Sequence, residues 1–307
     1  MYFPYLRGKQ FELIAIRELI ENNLIARDRI VPVIEPVKLS STLKKTFVIA
    51  EENTFRLALI LNPEVGDVVN KTDDILSEFL PRVQNNSLYF GYITNKGMVN
   101  EIQRLMAANS INNGQIILVH VKNTFANEYN LAFPEIPPAF NLIPDQRTYG
   151  RKIRDNKVLF VDHFIPQKRN SDYANEPDEF FSEDHLYYEE EGFKGFSDYC
   201  TIGYKFAESG FRPYAVVIHI TYFDDDDNIR IRHFVSDTNE DISDTPRKFY
   251  EALEKLIIWK NHTKIDTYAL SIFQKHYDNQ TYPGLGSIKK LSIMHHIELV
   301  NRFLGEQ

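Results

Sequence analysis

The sequence predicts an α/β fold, an irregular (β/α)8 TIM-like barrel with a β-hairpin and further helices at its C-terminal end. Apolar runs and helix-period segments alternate along the first half of the chain, the order of a parallel α/β fold. These runs are hydrophobic at nearly every position, so each strand needs cover on both faces. Counted with the aromatic opening YFPYLR, they number eight, the strand count of a closed barrel. An open doubly wound sheet shares this local pattern and stands as the alternative.

Residues 2–7 (YFPYLR) are aromatic and β-prone. Residues 9–23 follow as a helix, with Phe11, Ala15, Ile16, Leu19 and Ile20 at helical spacing and Asn22 and Asn23 as its stop. The run IVPVIEPV (30–37) closes on Glu35 and Pro36, after which Ser40 and Ser41 offer caps for the next helix. RLALILNPE (56–64) precedes a helix over 73–83. LYFGYITN (88–95) precedes another over 97–108, and QIILVHVKN (115–123) comes next. AFNLIPD (139–145) and KVLFVDHF (157–164) follow at closer spacing. The pieces between these runs are too short for full helices, although RTYGRKIRD fits a brief turn. FSDYCTIG (196–203) is the eighth run.

Beyond Gly210 the pattern changes. Runs at 214–223 and 228–237 flank four aspartates, Asp224 to Asp227, as in an antiparallel hairpin with a polar turn. The turn lacks the glycine and distal glutamate of an EF-hand, so it reads as simply exposed. A helix over 244–261 carries Phe249, Leu253, Leu256 and Ile257 on one face. Pro283 and Gly284 then break the chain before a last helix that ends near Phe303. With no solenoid repeat and no Gly/Ser linker, a single domain over 1–307 is expected. The stretch 166–195 is acidic, aromatic and long for a plain loop. Its Phe180, Phe181, Tyr187 and Tyr188 argue against disorder, and it is expected to act as a lid.

Composition narrows the classes. Hydrophobic residues make up 43% and charged residues 25% of the 307, an ordinary globular balance. Cys200 is the single cysteine, so no intramolecular disulfide forms, and its apolar neighbours make it an inert thiol. A formal net charge of -8 speaks against a broad basic nucleic-acid-binding surface. The charged N-terminus does not suit a signal peptide, and no run approaches the ~20 apolar residues of a membrane span. A cytoplasmic location without membrane is expected.

Barrel active sites lie at the C-terminal ends of the strands. Polar residues ending the apolar runs are therefore the candidates: Arg7, Glu35, Asn62, Asn95, Lys122, Asp145, Asp162 and His163. Glu35, Asp145 and Asp162 are the oxygen ligands that Mg2+ or Mn2+ prefers. Asp162, His163, Asp198 and His219 are the candidate acid–base groups. Arg7, Lys9 and Arg147 would neutralise phosphate. Phe181 and Tyr187 would close on the substrate from the loop, with Asp184 and His185 above. His219 and His233 approach one face if the hairpin strands pair, with Asp237 nearby, although histidines bonded within a sheet are the ordinary case. His295 and His296 are adjacent on a helix and point about 100° apart, unsuited to one metal. HExxH, Walker A and GxSxG motifs are missing from the sequence.

The segments MYFPYLRGKQFELIAIREL, VPVIEPVK, VDHF, DEFFSEDHLYY, GFSDYCTIG, AVVIHITY, IRIRHFVSD and YPGLGSIKKLSIMHH resemble a bacterial family related to the beta family proteins of phages and bacteria. The likeness covers nearly the whole chain and singles out no catalytic residue. It implies a mobile-element or phage-defence setting, a role in conflict between bacteria and phages, and a partner encoded by a neighbouring gene. Two functions follow as expectations. One is a metal-dependent hydrolase of a phosphodiester or nucleotide-like substrate. The other is a non-catalytic binding module that grips a basic partner through the acidic loop 171–191.

Overall fold

The computed structural model describes residues 1–82, 88–207 and 213–306. Seven parallel strands follow one another in chain order: β1 (Tyr5–Leu6), β2 (Val33–Ile34), β3 (Leu57–Ile60), β4 (Leu88–Ile93), β5 (Ile116–Val119), β6 (Phe140–Ile143) and β7 (Lys157–Phe160). The next strand, β8 (Asp178–Ser182), leaves for a second sheet, and β9 (Gly195–Ser197) returns beside β7. Phe3 N–H donates to the Phe196 carbonyl at 2.8 Å, and Tyr5 N–H to the Asp198 carbonyl at 2.8 Å. The last strand thus meets the first, and the sheet closes into a (β/α)8 barrel rather than an open doubly wound sheet. Gly195 permits this closure, because a Cβ there would collide with the Met1 carbonyl oxygen.

Continuous hydrophobicity in the strands has the expected cause. Phe3, Tyr5, Val33, Ile60, Val119 and Phe160 pack inside the barrel. Their strand neighbours, such as Leu6, Ile34, Leu59 and Leu118, pack in the outer layer. Helices α1 (Gln10–Glu21), α2 (Ser41–Glu52), α3 (Thr72–Phe79) and α4 (Met98–Asn109) fill the first four crossovers. The crossovers expected to be too short hold only α5 (Ala126–Ala132) and α6 (Arg147–Lys152). Val83, placed by the sequence at the end of the third helix, and Gly210 lie outside the described residues. Ser40 caps α2, its hydroxyl accepting from Leu43 N–H at 3.1 Å. Ser40→Ala is expected to cost about 1 kcal/mol, read as a lower thermal midpoint.

The 166–195 segment departs from expectation. β8 pairs antiparallel with β11 (Ile229–Val235), which pairs with β10 (Val217–Phe223). Within DEFFS, Phe181 and Ser182 are buried while Phe180 is exposed, so no clean alternation marked it as a strand. A single-turn helix, α7 (Asp184–Tyr187), follows. Beyond it the chain runs down the flank to the N-terminal end of the barrel. There the Met1 amino group donates to Tyr188 Oη at 3.1 Å, and Lys194 N–H donates to the Lys157 carbonyl at 2.7 Å. This portion is wall rather than lid.

The hairpin turn is exposed as expected, with Asp224 Oδ1 accepting from the N–H groups of Asp226 and Asn228. Three helices complete the chain: α8 (Thr245–Asn261), α9 (Tyr268–Asp278) and α10 (Leu285–Glu306). The sequence reading had no counterpart for α9, which buries only Ala269, Leu270 and Phe273. α10 packs against both α1 and β10 and is buried over most of its length. Among the described residues, no helix is long and apolar enough to cross a membrane.

Candidate active site at the barrel mouth

Inward-facing positions turn from apolar to polar where the strands end. Beyond Tyr5 comes Arg7, beyond Val33 comes Glu35, and beyond Phe160 comes Asp162. Glu35 is fully buried. One carboxylate oxygen pairs with Arg7 and accepts from Tyr5 Oη at 2.8 Å, while the other accepts from Glu64 N–H at 2.8 Å. Arg7 Nη2 donates to the Tyr204 carbonyl at 2.9 Å, and its Nε is buried with no partner among the described residues. The rings of Tyr5, Tyr199 and Tyr204 wall the guanidinium at 5.7, 5.4 and 5.1 Å.

Tyr204 also joins Arg7 to Asp162, because its N–H donates to Asp162 Oδ2 at 2.8 Å. Phe164 N–H donates to the other oxygen at 3.3 Å. Gly203 supplies the turn between, at φ +69°, a conformation that side-chain-bearing residues resist. Desolvation at the rim raises the Asp162 carboxyl above its ordinary range, with the nearby Asp198 charge adding to it. The two backbone N–H bonds pull the other way.

Two hollows adjoin this constellation. One, of about 400 Å3, is bordered by Lys9, Lys38, Lys289, Phe11 and Phe206. Lys9 Nζ lies 4.7 Å above the Phe206 ring, and Lys289 Nζ is 3.0 Å from Glu12. Burial lowers the Lys9 ammonium, and the like charges of Lys289 and Arg7 lower it further. The other hollow, about 880 Å3, opens over the ends of β3 and β4 beside Asn62, Glu64, Lys71 and Asn95. Asn62 is spent on structure there, bridging both backbone groups of Ile93 at 2.8 Å.

Arg7, Lys9, Glu35 and Asp162 thus share one rim. Asp145 and Arg147 stand exposed beyond the end of β6. The metal set Glu35, Asp145 and Asp162 does not fit a divalent ion. Both Glu35 oxygens already hold protein donors, and no group of three or more His, Cys, Asp or Glu among the described residues is placed to hold a metal.

His163 and Asp198 belong elsewhere. Each follows an inward-facing neighbour, so the strand's period of two turns it outward. Asp198 Oδ1 accepts from Tyr2 Oη and Cys200 N–H, both at 2.7 Å, and its other oxygen lies 3.4 Å from His296 Nε2. Burial would raise the Asp198 carboxyl, but the His296 charge and the hydrogen bonds from His296 and Tyr2 hold it below the ordinary range. His163 Nε2 meets Asp184 Oδ2 at 2.7 Å. Burial would lower this imidazole, but the Asp184 bond and the charges of Asp184, Asp198 and Asp162 raise it. His163 ties the barrel wall to α7, and Asp198 ties it to α10. Cys200 is fully buried there, its thiol raised by burial, in line with an inert role.

The remaining candidates are also corrected. Phe181 is 1% exposed and packs on the rings of His163 and His296, which makes it core. Tyr187 is exposed on α7, and His185 is buried with Nε2 at 2.8 Å from the Asp227 carbonyl. His219 lies on β10 behind the Phe164 ring, 5.1 Å between centroids. Sequence reasoning missed Tyr199, Tyr204, Lys38 and Lys289. Tyr199 alone left a signal, lying two residues beyond the inward Ser197.

Comparison with family models, curated proteins and solved structures found no match.

Proposed function

We propose that the protein is a hydrolase acting on a phosphodiester or nucleotide-like substrate at the barrel mouth. One observation supports this above the others. Asp162, a carboxyl that burial raises above its ordinary range, is tied through the Tyr204 backbone to Arg7, and residues 204–206 lead from it to the lysine-bordered hollow. Lys9 and Lys38 face the phosphate oxygens, where cationic donors offset transition-state charge. Asp162 takes a proton from the attacking water as the new P–O bond forms, and returns it to the leaving oxygen as the ester bond breaks. No step is routed through a metal, since the carboxylates do not converge.

In assays on bis(p-nitrophenyl) phosphate and a panel of nucleotides, Asp162→Asn is expected to lower kcat by about a hundredfold. Lys38→Ala is expected to raise KM more than it lowers kcat, and EDTA is expected to leave the rate unchanged. Equal rates for Asp162→Asn and the unaltered protein would sink the proposal. In keeping with the family resemblance, we place this activity in the cytoplasm, in conflict between bacteria and phages.

A second reading has its own support. Phe180 and Tyr187 are 48% and 45% exposed, beside the exposed acidic run Glu189, Glu190 and Glu191. Apolar rings amid negative charge suit a basic protein partner, such as the product of a neighbouring gene. Paired Phe180→Ser and Tyr187→Ser substitutions, which leave β8 in place, test it by co-purification. Unchanged complex formation would dismiss it.

A further inference from the structure

The small sheet carries a line of three ionisable side chains that the barrel mouth does not use. His219 on β10 and His233 on β11 are direct cross-strand partners. Their Nδ1 atoms lie 2.7 Å apart, and His233 Nε2 lies 2.8 Å from Glu179 Oε1 on β8. The Tyr173 ring packs on both imidazoles, at 4.8 and 4.6 Å, and Phe164 closes the side of His219. His233 is 3% exposed, whereas His219 is half-buried, so the line is closed at its middle and open at one end.

Proton counting settles the roles. An ionised glutamate only accepts, so His233 holds its proton on Nε2 and presents a lone pair on Nδ1. The 2.7 Å contact then requires the proton of His219 on Nδ1. Its Nε2 is left as a bare lone pair, to which no described residue donates. Burial lowers both imidazoles, with the His233 charge adding to the effect on His219, and this keeps the pair neutral near pH 7.

We infer that Glu179, His233 and His219 form a proton relay whose open end, His219 Nε2, accepts a proton from water or from a hydroxyl-bearing ligand. The proton moves from the ligand oxygen to Nε2, and the resulting imidazolium keeps its Nδ1–H bond to His233. Glu179 balances the charge through His233, and the proton later returns along the same path. His219 is the proton-accepting group; His233 and Glu179 are positioning residues. The inference rests on the small sheet alone, so its failure and that of the barrel-mouth proposal are separable.

The test uses the full chain labelled with 15N-histidine, and His219→Gln assigns the resonance. Two-bond nitrogen–proton correlations at neutral pH are expected to show His219 protonated on Nδ1, the less common tautomer of a free imidazole. His233→Phe is expected to return it to the Nε2–H form. Diethyl pyrocarbonate, read by peptide mass spectrometry, is expected to modify His219 well before His233. Glu179→Gln, the gentler change should His233→Phe misfold, is expected to slow that reaction by weakening the electron push that His233 passes to His219. A proton on Nε2 of His219 in the unaltered protein, or a His219 refractory to the reagent, would overturn the inference.

Discussion

Arg7→Ala is expected to destabilise the protein by about 3–5 kcal/mol, read as a lower urea midpoint at unchanged slope. The loss comes less from the missing attraction than from what remains. Glu35 is fully buried, and without Arg7 its charge keeps only the Tyr5 hydroxyl and the Glu64 N–H. An isolated buried carboxylate is costly, and the usual escape is to bind a proton. Glu35→Ala is expected to cost a similar amount, since it strands a guanidinium that is 95% enclosed and already has one nitrogen without a partner among the described residues. The paired replacement Arg7→Met with Glu35→Leu is expected to recover most of the loss, because both desolvation penalties vanish together. A double variant as unstable as either single one would show that the tyrosine cage, rather than charge burial, sets the energy.

Stability is expected to fall steeply as the pH drops from about 6.5 to about 4. His120 and His295 are fully buried, and burial pushes each imidazole down from 6.5 to about 4. His120 is wedged between the Tyr129 and Tyr149 rings, its Nδ1 without a partner among the described residues. His295 Nε2 donates to the Thr221 carbonyl at 2.6 Å, and its Nδ1 faces the Thr267 hydroxyl at 2.8 Å. In this window the unfolded chain binds protons that the folded protein refuses, so the stabilisation is complete above pH 6.5 and lost below it. Each histidine contributes about 3 kcal/mol to the fall by pH 4. His163 works in the opposite sense: its folded value is raised, so its contribution is present below pH 6.5 and lost as the pH climbs through that higher value. It therefore leaves the acid window unchanged. Urea titrations across this range would show the slope, and His120→Gln is expected to reduce the total fall by about 3 kcal/mol.

How much of the site was legible follows from the same geometry. Glu35 and Asp162 could be found because each ends a recognisable apolar run, and strand ends gather at one mouth whenever the barrel closes. Asp198 was not legible as a residue of the outer wall, because nothing local in FSDYCTIG marks which of its residues faces inward. Phe181 was misassigned because an aromatic in an acidic stretch looks like a loop contact until its strand partners are known. For Glu35 the place at the mouth was legible and the partner was hidden: Arg7 supplies the charge that a metal was expected to supply.

By itself the sequence determined the eight strands, their parallel order and the N-terminal helices. Those follow from contiguous hydrophobic patterning, which neighbouring residues settle among themselves. Only the tertiary structure decided which side of the barrel wall each carboxylate faces and which donor holds it. Arg7 meets Tyr204 across 197 residues, and His233 meets Glu179 across 54. Such contacts depend on register and closure, and these are set by the packing of distant segments that no local periodicity records.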